Sequence, residues 1–281
     1  MTEDQVIGMM VGCAVGDAYG APFEFMHPND IHSIPEGFAT GGTHDVSIGE
    51  YTDDTAMMLA IGDAYVHNNG LDLAGIVYNF KRWKQTGKFG TRDYVFDIGL
   101  TTANAIDQMT EKNPYAGKNT VNASGNGSIM RVASIIAANH MDVFRATGDA
   151  VAISLMTHGN ADTVKYISGF VPKVMGYTVN SRSLRAWDVR TDTGTGSIMH
   201  SYNVAMDAAH YHYNRFEYAL KHALRFGYDT DTNCAVTGTL VGANVGLSGI
   251  PDKFVNNLQN AEYIIDLAKQ LYQIGINNAS A

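Results

Sequence analysis

The sequence of this 281-residue chain predicts an all-α fold, organised as one domain over residues 1–281 with about ten helices. In most segments, apolar residues recur at intervals of three and four, which is the spacing of one face of a helix. The sequence lacks the period-two alternation of strands and the strand–helix–strand rhythm of α/β proteins. With 45% hydrophobic and 17% charged residues, the chain has enough apolar side chains for a sizeable core.

The first helix is expected over residues 5–18, where Gly8, Gly12 and Gly16 permit another helix to approach closely. The helix breaks at Gly20-Ala21-Pro22, and residues 27–50 then form a long irregular segment of the kind that is usually functional. An amphipathic helix from Leu73 to Trp83 closes at Gly87. The other helices are expected near residues 56–61, 101–102, 129–133, 151–156, 161–174, 205–211, 218–226, 234–241 and 258–271.

Charge and cysteine content exclude several classes of partner. The net charge is −9 and no cluster of Lys and Arg is present, which argues against a nucleic-acid or anionic membrane surface. Cys13 and Cys234 lie in small, apolar surroundings without metal-ligand spacing, as reduced core residues do. The acidic N-terminus lacks the basic region of a signal peptide, and no apolar run is expected to span a membrane. We therefore expect a cytoplasmic protein.

Two short acidic clusters stand far apart in the chain, at residues 51–55 and 229–232. Each precedes an apolar run that predicts a buried helix, so helix capping explains either cluster alone. Together they supply four carboxylates and several hydroxyls, which are the hard oxygen donors that Mg²⁺ and Mn²⁺ prefer. If the fold brings the clusters together, their like charges need cations between them. A two-metal site is therefore the hypothesis.

Three further features point to a ligand, although each also has an ordinary structural explanation. The turn at Ser124–Ser128 opens a helix and could hold a diphosphate on its backbone N–H groups, but a plain turn needs no ligand. His158 could donate to a phosphate or ribose oxygen, although a lone histidine more often stabilises structure. Glu24, in a loop after Pro22, suits acid–base chemistry or is an ordinary surface residue.

Six stretches occur in one order along the chain: Gly12–Glu24, Thr52–Thr55, Asp97–Thr102, Gly125–Ala133, Thr157-His158 and Gly227–Thr232. Their order resembles the motifs of the ADP-ribosylglycohydrolase family, whose bacterial members include the dinitrogenase reductase-activating glycohydrolases. Any one stretch is a weak signal, but six in register span nearly the whole chain.

The resemblance implies an all-α fold around two Mg²⁺ or Mn²⁺ ions, with ADP-ribose and an ADP-ribosylated protein as partners. The implied reaction is hydrolysis at the anomeric carbon of the ribose, with arginine as the expected leaving side chain. The implied metal ligands are Thr52, Asp53, Asp54, Asp229, Asp231 and Thr232. The residues implied to bind substrate are Gly99, Ser124, Gly125, Asn126, Gly127 and His158. Glu24 is the expected proton-transfer group, and the motif position of Asp97 makes it the expected partner of a guanidinium.

Two departures from the family pattern leave the substrate open. Tyr228 stands where the family usually has the second glycine of a pair, so its side chain points to solvent or walls the pocket. Near Gly194–Ser197, on the expected adenosine side, a typical tyrosine is replaced by Ser197. Serine-linked or other ADP-ribosyl substrates remain alternatives. So do hydrolysis of phosphoesters or pyrophosphates and a non-catalytic, ADP-ribose-binding or structural role, as in the similar jellyfish J1 crystallins.

Overall fold

A computed structural model describes residues 1–120, 124–177 and 196–279, and within these ranges the chain forms twelve α-helices and no strand. The all-α prediction is therefore confirmed. The number of helices exceeds the expected ten partly because of the four-residue helix Asp252–Val255, which has no periodic signal. The helices are α1 (Glu3–Gly20), α2 (Asp53–Asn68), α3 (Leu73–Thr86), α4 (Leu100–Gln108), α5 (Ala133–Ala138), α6 (Val143–Leu155), α7 (Ala161–Val174), α8 (Ile198–His212), α9 (Phe216–Leu224), α10 (Thr230–Val245), α11 (Asp252–Val255) and α12 (Ala261–Ala279).

The centre of the fold is an antiparallel pair formed by α1 and α10. Glycines take the place of side chains where the two helices meet, so that backbone contacts backbone. A Cβ atom built on Gly12 would overlap the carbonyl oxygen of Gly238, and one built on Gly238 would overlap that of Gly12. At the other end of the pair, Gly20 meets Thr230 in the same way. The predicted close approach at the α1 glycines is thus seen, and α10 is the partner helix.

The composition of helix α1 contradicts the expectation that no apolar run could span a membrane. Residues 3–23 are long and apolar enough to cross a membrane by length and composition, although the sequence was expected to contain no such run. In the structure, 94% of the apolar window is buried inside the fold. Packing against α10 and α12 therefore accounts for the apolar composition of α1.

Some helix boundaries also differ from expectation. Helix α6 begins at Val143, eight residues before the expected start, because Asp142 accepts hydrogen bonds from two backbone N–H groups in its first turn. The start of α6 could not be recognised from the spacing of apolar residues, because Phe144 points outward and is 87% exposed, which breaks that spacing. Helix α12 begins after Leu258. Most of the polar stretch at 181–197 lies outside the described residues.

The glycine contact predicts opposite effects for two alanine substitutions. Gly238→Ala should lower the free energy of unfolding by about 1–3 kcal/mol, because its methyl group overlaps a backbone atom of α1. Gly148→Ala, in α6, where a Cβ atom would contact none of the residues that the structure describes, should raise that free energy by about 0.5–1 kcal/mol through helix propensity. Urea denaturation of both variants measures the difference. Equal effects would show that α1 and α10 are not in backbone contact.

Candidate active site

Asp17 of α1 fixes the first turn of α2. Its Oδ1 accepts hydrogen bonds from the backbone N (2.9 Å) and hydroxyl (2.8 Å) of Thr52. Its Oδ2 accepts from the backbone N (3.0 Å) and hydroxyl (2.6 Å) of Thr55. The side chain is fully buried, and burial raises the pKa of Asp17 to about 6, although the hydrogen bonds from Thr55 and Thr52 oppose the shift. Sequence analysis assigned no role to Asp17, because its partners are more than thirty residues away.

The two acidic clusters meet where α1, α2 and α10 converge. The hydroxyl of Thr230 donates to the carbonyl oxygen of Gly20 at 2.8 Å, which holds the start of α10 against the end of α1. Asp231 Oδ2 then lies 3.4 Å from the Thr52 hydroxyl, and Asp54 Oδ2 lies 3.4 Å from the Thr232 hydroxyl. Four of the residues implied as metal ligands, nearly 180 positions apart in sequence, are therefore neighbours in the fold.

Carboxylate oxygens from five acids are crowded into this region. One oxygen from each of Asp17, Asp54 and Asp231 lies within 4.8 Å of the others. The same holds for Asp53, Asp97 and Asp231. Burial raises the pKa of Asp53, Asp54 and Asp231 well above the usual range, and the charges of neighbouring acids raise it further. The site therefore resists the accumulation of negative charge.

These residues fit a bound divalent cation. Asp54 Oδ1 and Asp231 Oδ1 are buried and accept no hydrogen bond from the part of the chain that the structure describes. A buried carboxylate oxygen without a partner is costly, and a cation would satisfy it. Carboxylate and threonine oxygens are also suitable ligands for Mg²⁺ or Mn²⁺. The chemistry of the donors thus matches the predicted metal, while the number and identity of the ions remain predictions.

Glu24 and Asp97 lie next to the acidic cluster and share one neighbour, His44. Glu24 follows the 3₁₀ turn Ala21–Phe23 and is 7% exposed. Its Oε2 is 2.8 Å from His44 Nε2, and Asp97 Oδ2 is 3.7 Å from the same nitrogen. Burial raises the pKa of Glu24 to about 7, the hydrogen bond from His44 lowers it and the charge of Asp97 raises it. Sequence analysis missed His44, since no spacing motif distinguishes it from the other nine histidines.

The turn at residues 124–128 is joined to the second acidic cluster through Asn126. Its side-chain Nδ2 donates to Asp229 Oδ2 at 2.9 Å and to Ser201 Oγ at 2.9 Å. Its backbone N–H donates to the carbonyl oxygen of Gly196 at 3.0 Å. A Cβ atom on Gly196 would lie 3.3 Å from Asp229 Oδ2. Gly196, which belongs to the segment expected on the adenosine side, therefore borders the second acidic cluster. Gly194 and Thr195, which belong to the same expectation, lie outside the described residues.

His158 presents a neutral ring with an N–H donor to this turn. Arg131 Nη2 donates to Thr157 Oγ1 at 2.6 Å, and Thr157 Oγ1 is 2.8 Å from His158 Nδ1. Because arginine has no acceptor, the Thr157 proton is free to go to Nδ1, which leaves the ring proton on Nε2. A Cβ atom on Gly125 would lie 3.3 Å from that Nε2. Burial lowers the pKa of His158 to about 3, and the charge of Arg131 lowers it further.

Helix α4 completes this side of the site. Gly99 is exposed and precedes the first turn of α4, and a Cβ atom added to it would meet no atom of the described residues within 4 Å. Three residues later, Thr102 Oγ1 would lie 3.0 Å from a Cβ atom on Gly127. The start of α4 therefore approaches the turn, and open space surrounds the predicted substrate-binding position Gly99.

A backbone bridge links the loop of Glu24 to the second acidic cluster. Phe25 N donates to Tyr228 O at 2.6 Å, and Tyr228 N donates to Met26 O at 2.7 Å. Both Phe25 (φ 68°) and Tyr228 (φ 60°) adopt the left-handed conformation, which costs energy for residues other than glycine. The Tyr228 ring, half-buried, contacts the edge of His27 at 5.5 Å between centroids. Tyr228, at which the chain departs from the family pattern, thus lies against the loop that carries Glu24.

Comparisons with known proteins identify the family of the chain. The family model described as ADP-ribosylglycohydrolase matches residues 1–280. The chain is 28% identical to the ADP-ribosylarginine hydrolase Tri1 of Serratia proteamaculans, over 96% of this chain and 79% of the relative. It is 26% identical to the ADP-ribosyl-[dinitrogen reductase] glycohydrolase of Rhodospirillum rubrum, over 91% and 90%. A solved structure titled ADP-ribosylglycohydrolase-related protein complex matches with a TM-score of 0.80 and 25% identity, over 97% of this chain and 98% of that one.

The crowded carboxylates predict that stability depends on pH when divalent ions are removed. Asp53, Asp54 and Asp231 have raised pKa values in the folded state, so they retain protons that the unfolded chain loses above about 3.8. Their contribution to stability is full below that pH and is lost as the pH rises through the raised values. We expect the Tm of EDTA-treated protein to fall progressively as the pH rises above about 3.8. Mn²⁺ or Mg²⁺ should restore the Tm most strongly at the highest pH.

The double variant Asp54→Asn/Asp231→Asn is the control for this experiment, because it removes two of the titrating groups. Its Tm in EDTA should change less with pH and respond less to added ions. Differential scanning calorimetry at several pH values makes the measurement. A wild-type Tm that is independent of both pH and divalent ions would contradict the electrostatic account.

The left-handed conformation of Tyr228 predicts an order among its substitutions. Tyr228→Gly should leave the free energy of unfolding nearly unchanged, because relief of backbone strain offsets the lost contact with His27. Tyr228→Val should lower it by about 1–2 kcal/mol, since a β-branched residue is strongly disfavoured at positive φ. Tyr115, which is exposed and has a negative φ, is the control, where valine should be tolerated as well as glycine. If valine proves better than glycine at position 228, the bridge does not constrain the backbone.

Proposed function

The chain belongs to the ADP-ribosylglycohydrolase family and is an ADP-ribosyl hydrolase, and we propose that it releases unmodified arginine side chains from ADP-ribosylated protein. The observation that carries the choice of arginine is the pair Glu24 and Asp97, two acids outside the predicted ligand set that flank it. A guanidinium is bound well by carboxylates, whereas the hydroxyl of a serine leaving group needs no such partner. The relative from Serratia proteamaculans, named as an arginine hydrolase, supports the same choice.

We propose that two Mg²⁺ or Mn²⁺ ions are held by Thr52, Asp53, Asp54, Asp229, Asp231 and Thr232. The orphaned oxygens of Asp54 and Asp231 and the raised pKa values of the buried acids support this assignment. When bound, the ions would polarise the ribose hydroxyls and lower the pKa of a water molecule. Asp17 would act indirectly, because its four hydrogen bonds hold Thr52 and Thr55 in place.

The turn at residues 124–128 is the proposed site of the diphosphate. The Nε2–H of His158 and the backbone N–H groups of the turn other than that of Asn126, which donates to Gly196, are the proposed donors, and donors of this kind bind phosphate oxygens. Since His158 is neutral, it binds as a hydrogen-bond donor and does not serve as the acid of the reaction. Asn126 contacts Asp229, so the turn would hold the diphosphate at a fixed position relative to the predicted ions.

In the proposed reaction, the bond between the anomeric carbon and the arginine nitrogen breaks, and its electron pair goes to the departing guanidine. The water oxygen bonds to the anomeric carbon. Glu24 accepts the proton that this water loses and delivers it to the guanidine, a role for which a pKa of about 7 is well suited. The carboxylate of Asp97 holds the guanidinium. The products are ADP-ribose and unmodified arginine.

Serine-linked substrates are the second candidate for the linkage, because the predicted metal site and the diphosphate turn would serve both reactions. A binding protein without turnover and a pyrophosphate hydrolase are the alternatives of a different kind. The products distinguish them, since turnover at the anomeric carbon yields ADP-ribose, pyrophosphate cleavage yields AMP, and a binding protein yields neither.

The deciding assay compares release from arginine-, serine- and acid-linked ADP-ribosyl peptides at equal concentration, with products identified by mass spectrometry. We expect ADP-ribose from the arginine linkage, no AMP, and dependence on Mg²⁺ or Mn²⁺. Asp97→Ala should slow release from arginine by about 100-fold, the usual scale for a lost positioning contact. Asp231→Ala should abolish release and ion binding, whereas Asp266→Ala, on the exposed face of α12, should change neither. Preference for serine, or normal cleavage of arginine by Asp97→Ala, would overturn the assignment.

We also propose a cytoplasmic location. Cys13 and Cys234 are both buried free thiols, which supports a reducing environment. Fractionation of cells that express the protein tests this, and recovery outside the cytoplasm would contradict it.

A further inference from the structure

His44 lies at the tip of a short turn that reaches the candidate catalytic acids. Residues Gly41 and Val46 exchange two backbone hydrogen bonds of 2.8 and 2.9 Å, and this bridge closes the turn. The His44 side chain is 14% exposed, and its Nε2 is directed at carboxylate oxygens of Glu24 and Asp97. The turn therefore delivers one imidazole to a site between two acids.

The environment of His44 is built from two matching dipeptides. Glu24-Phe25 supplies a carboxylate at 2.8 Å and a ring 6.0 Å from the imidazole, between centroids. Phe96-Asp97 supplies a carboxylate at 3.7 Å and a ring at 5.8 Å. Each acid thus reaches the imidazole together with the aromatic residue adjacent to it in sequence. The contacts restrain both the position and the tilt of the ring.

Arg92 contacts both the backbone of His44 and the ring of Phe96. Its Nη2 donates to the carbonyl oxygens of His44 (3.1 Å) and Asp45 (3.0 Å), and its guanidinium lies 4.1 Å from the centroid of the Phe96 ring. Glu50 fixes the guanidinium through Nε at 2.7 Å and Nη2 at 2.9 Å. The backbone of His44 and the segment that carries Asp97 are therefore attached to the same guanidinium.

We propose that His44 is a positioning residue, which holds Glu24 and Asp97 together at the reaction centre. This inference rests on the proposed function, since it assigns to His44 a part in that reaction. Two carboxylates in a largely buried site repel each other, and the imidazole between them limits their separation. His44 acts through the acids, and Glu24 and Asp97 remain the groups that contact the substrate.

The first test compares His44→Leu with His44→Gln, because the glutamine amide can replace the Nε2 donor and leucine cannot. On the linkage that the wild type cleaves, His44→Leu should lower kcat by about 10- to 100-fold and leave KM within about twofold. His44→Gln should recover most of kcat. His67→Leu, at a histidine whose side chain is 75% exposed, is the control and should behave as wild type. Equal losses in His44→Leu and His44→Gln, or a loss confined to KM, would overturn the proposal.

The second test does not depend on turnover. The NMR chemical shifts of the His44 imidazole nitrogens should change in both Glu24→Gln and Asp97→Asn, because each carboxylate lies close to Nε2. They should not change in Asp266→Asn. A His44 signal that is insensitive to either acid would refute the contact even in an active enzyme, and shifts as expected in a protein without turnover would refute only the proposed function.

Metal content separates positioning from metal binding by His44. Oxygens of Glu24 and Asp97 and a nitrogen of His44 lie within 4.8 Å of one another, close enough to share an ion. Wild type and His44→Leu, each equilibrated with Mn²⁺, should contain the same number of ions by elemental analysis. The loss of one ion in His44→Leu would show that the histidine is a ligand, and the positioning role would be rejected.

Discussion

The close contact between α1 and α10 is the constraint on which the rest of the structure depends. Glycine removes the side chains that normally hold packed helices 8–10 Å apart, so the two backbones meet along their length. The contact also fixes the register of the antiparallel pair, which brings the end of α1 to the start of α10. Only at this separation can the Thr230 hydroxyl donate to the carbonyl oxygen of Gly20. Asp17 and Asp231 consequently both reach the start of α2 at Thr52, and the two acidic clusters become one site.

The site has two electrostatic halves, and Arg131 lies between them. Its guanidinium is fully buried, donates to Thr157 and lies over the Phe80 ring at 4.9 Å from the centroid. Burial lowers the pKa of Arg131 to about 9, while the charge of Asp53 raises it. The same positive charge disfavours protonation of His158. One half of the site therefore concentrates carboxyl groups suited to cations, and the other presents neutral donors suited to an anion.

Local composition was sufficient to predict much of this molecule. The bounds of α7 match the expectation at both ends, and the acidic clusters were recognised because carboxylates and threonines are concentrated in a few residues. The missed residues depend on distant partners. His44 gains its environment from residues 20 and 53 positions away, and Asp17 from α2. For Tyr228, the sequence could not decide between a side chain in solvent and one that walls the pocket. The left-handed backbone directs the ring toward His27, and the residue type does not reveal that conformation.

The pairing of α1 with α10 also has a consequence for how the chain is made. Helix α1 is apolar around its whole circumference and is translated more than two hundred residues before α10. At ordinary rates of translation, α1 waits on the order of tens of seconds for its partner. Contacts so distant in sequence form slowly, so the nascent chain exposes an apolar helix throughout this interval. The feature that creates the site in the finished protein thus leaves an apolar helix without its partner while the chain is growing.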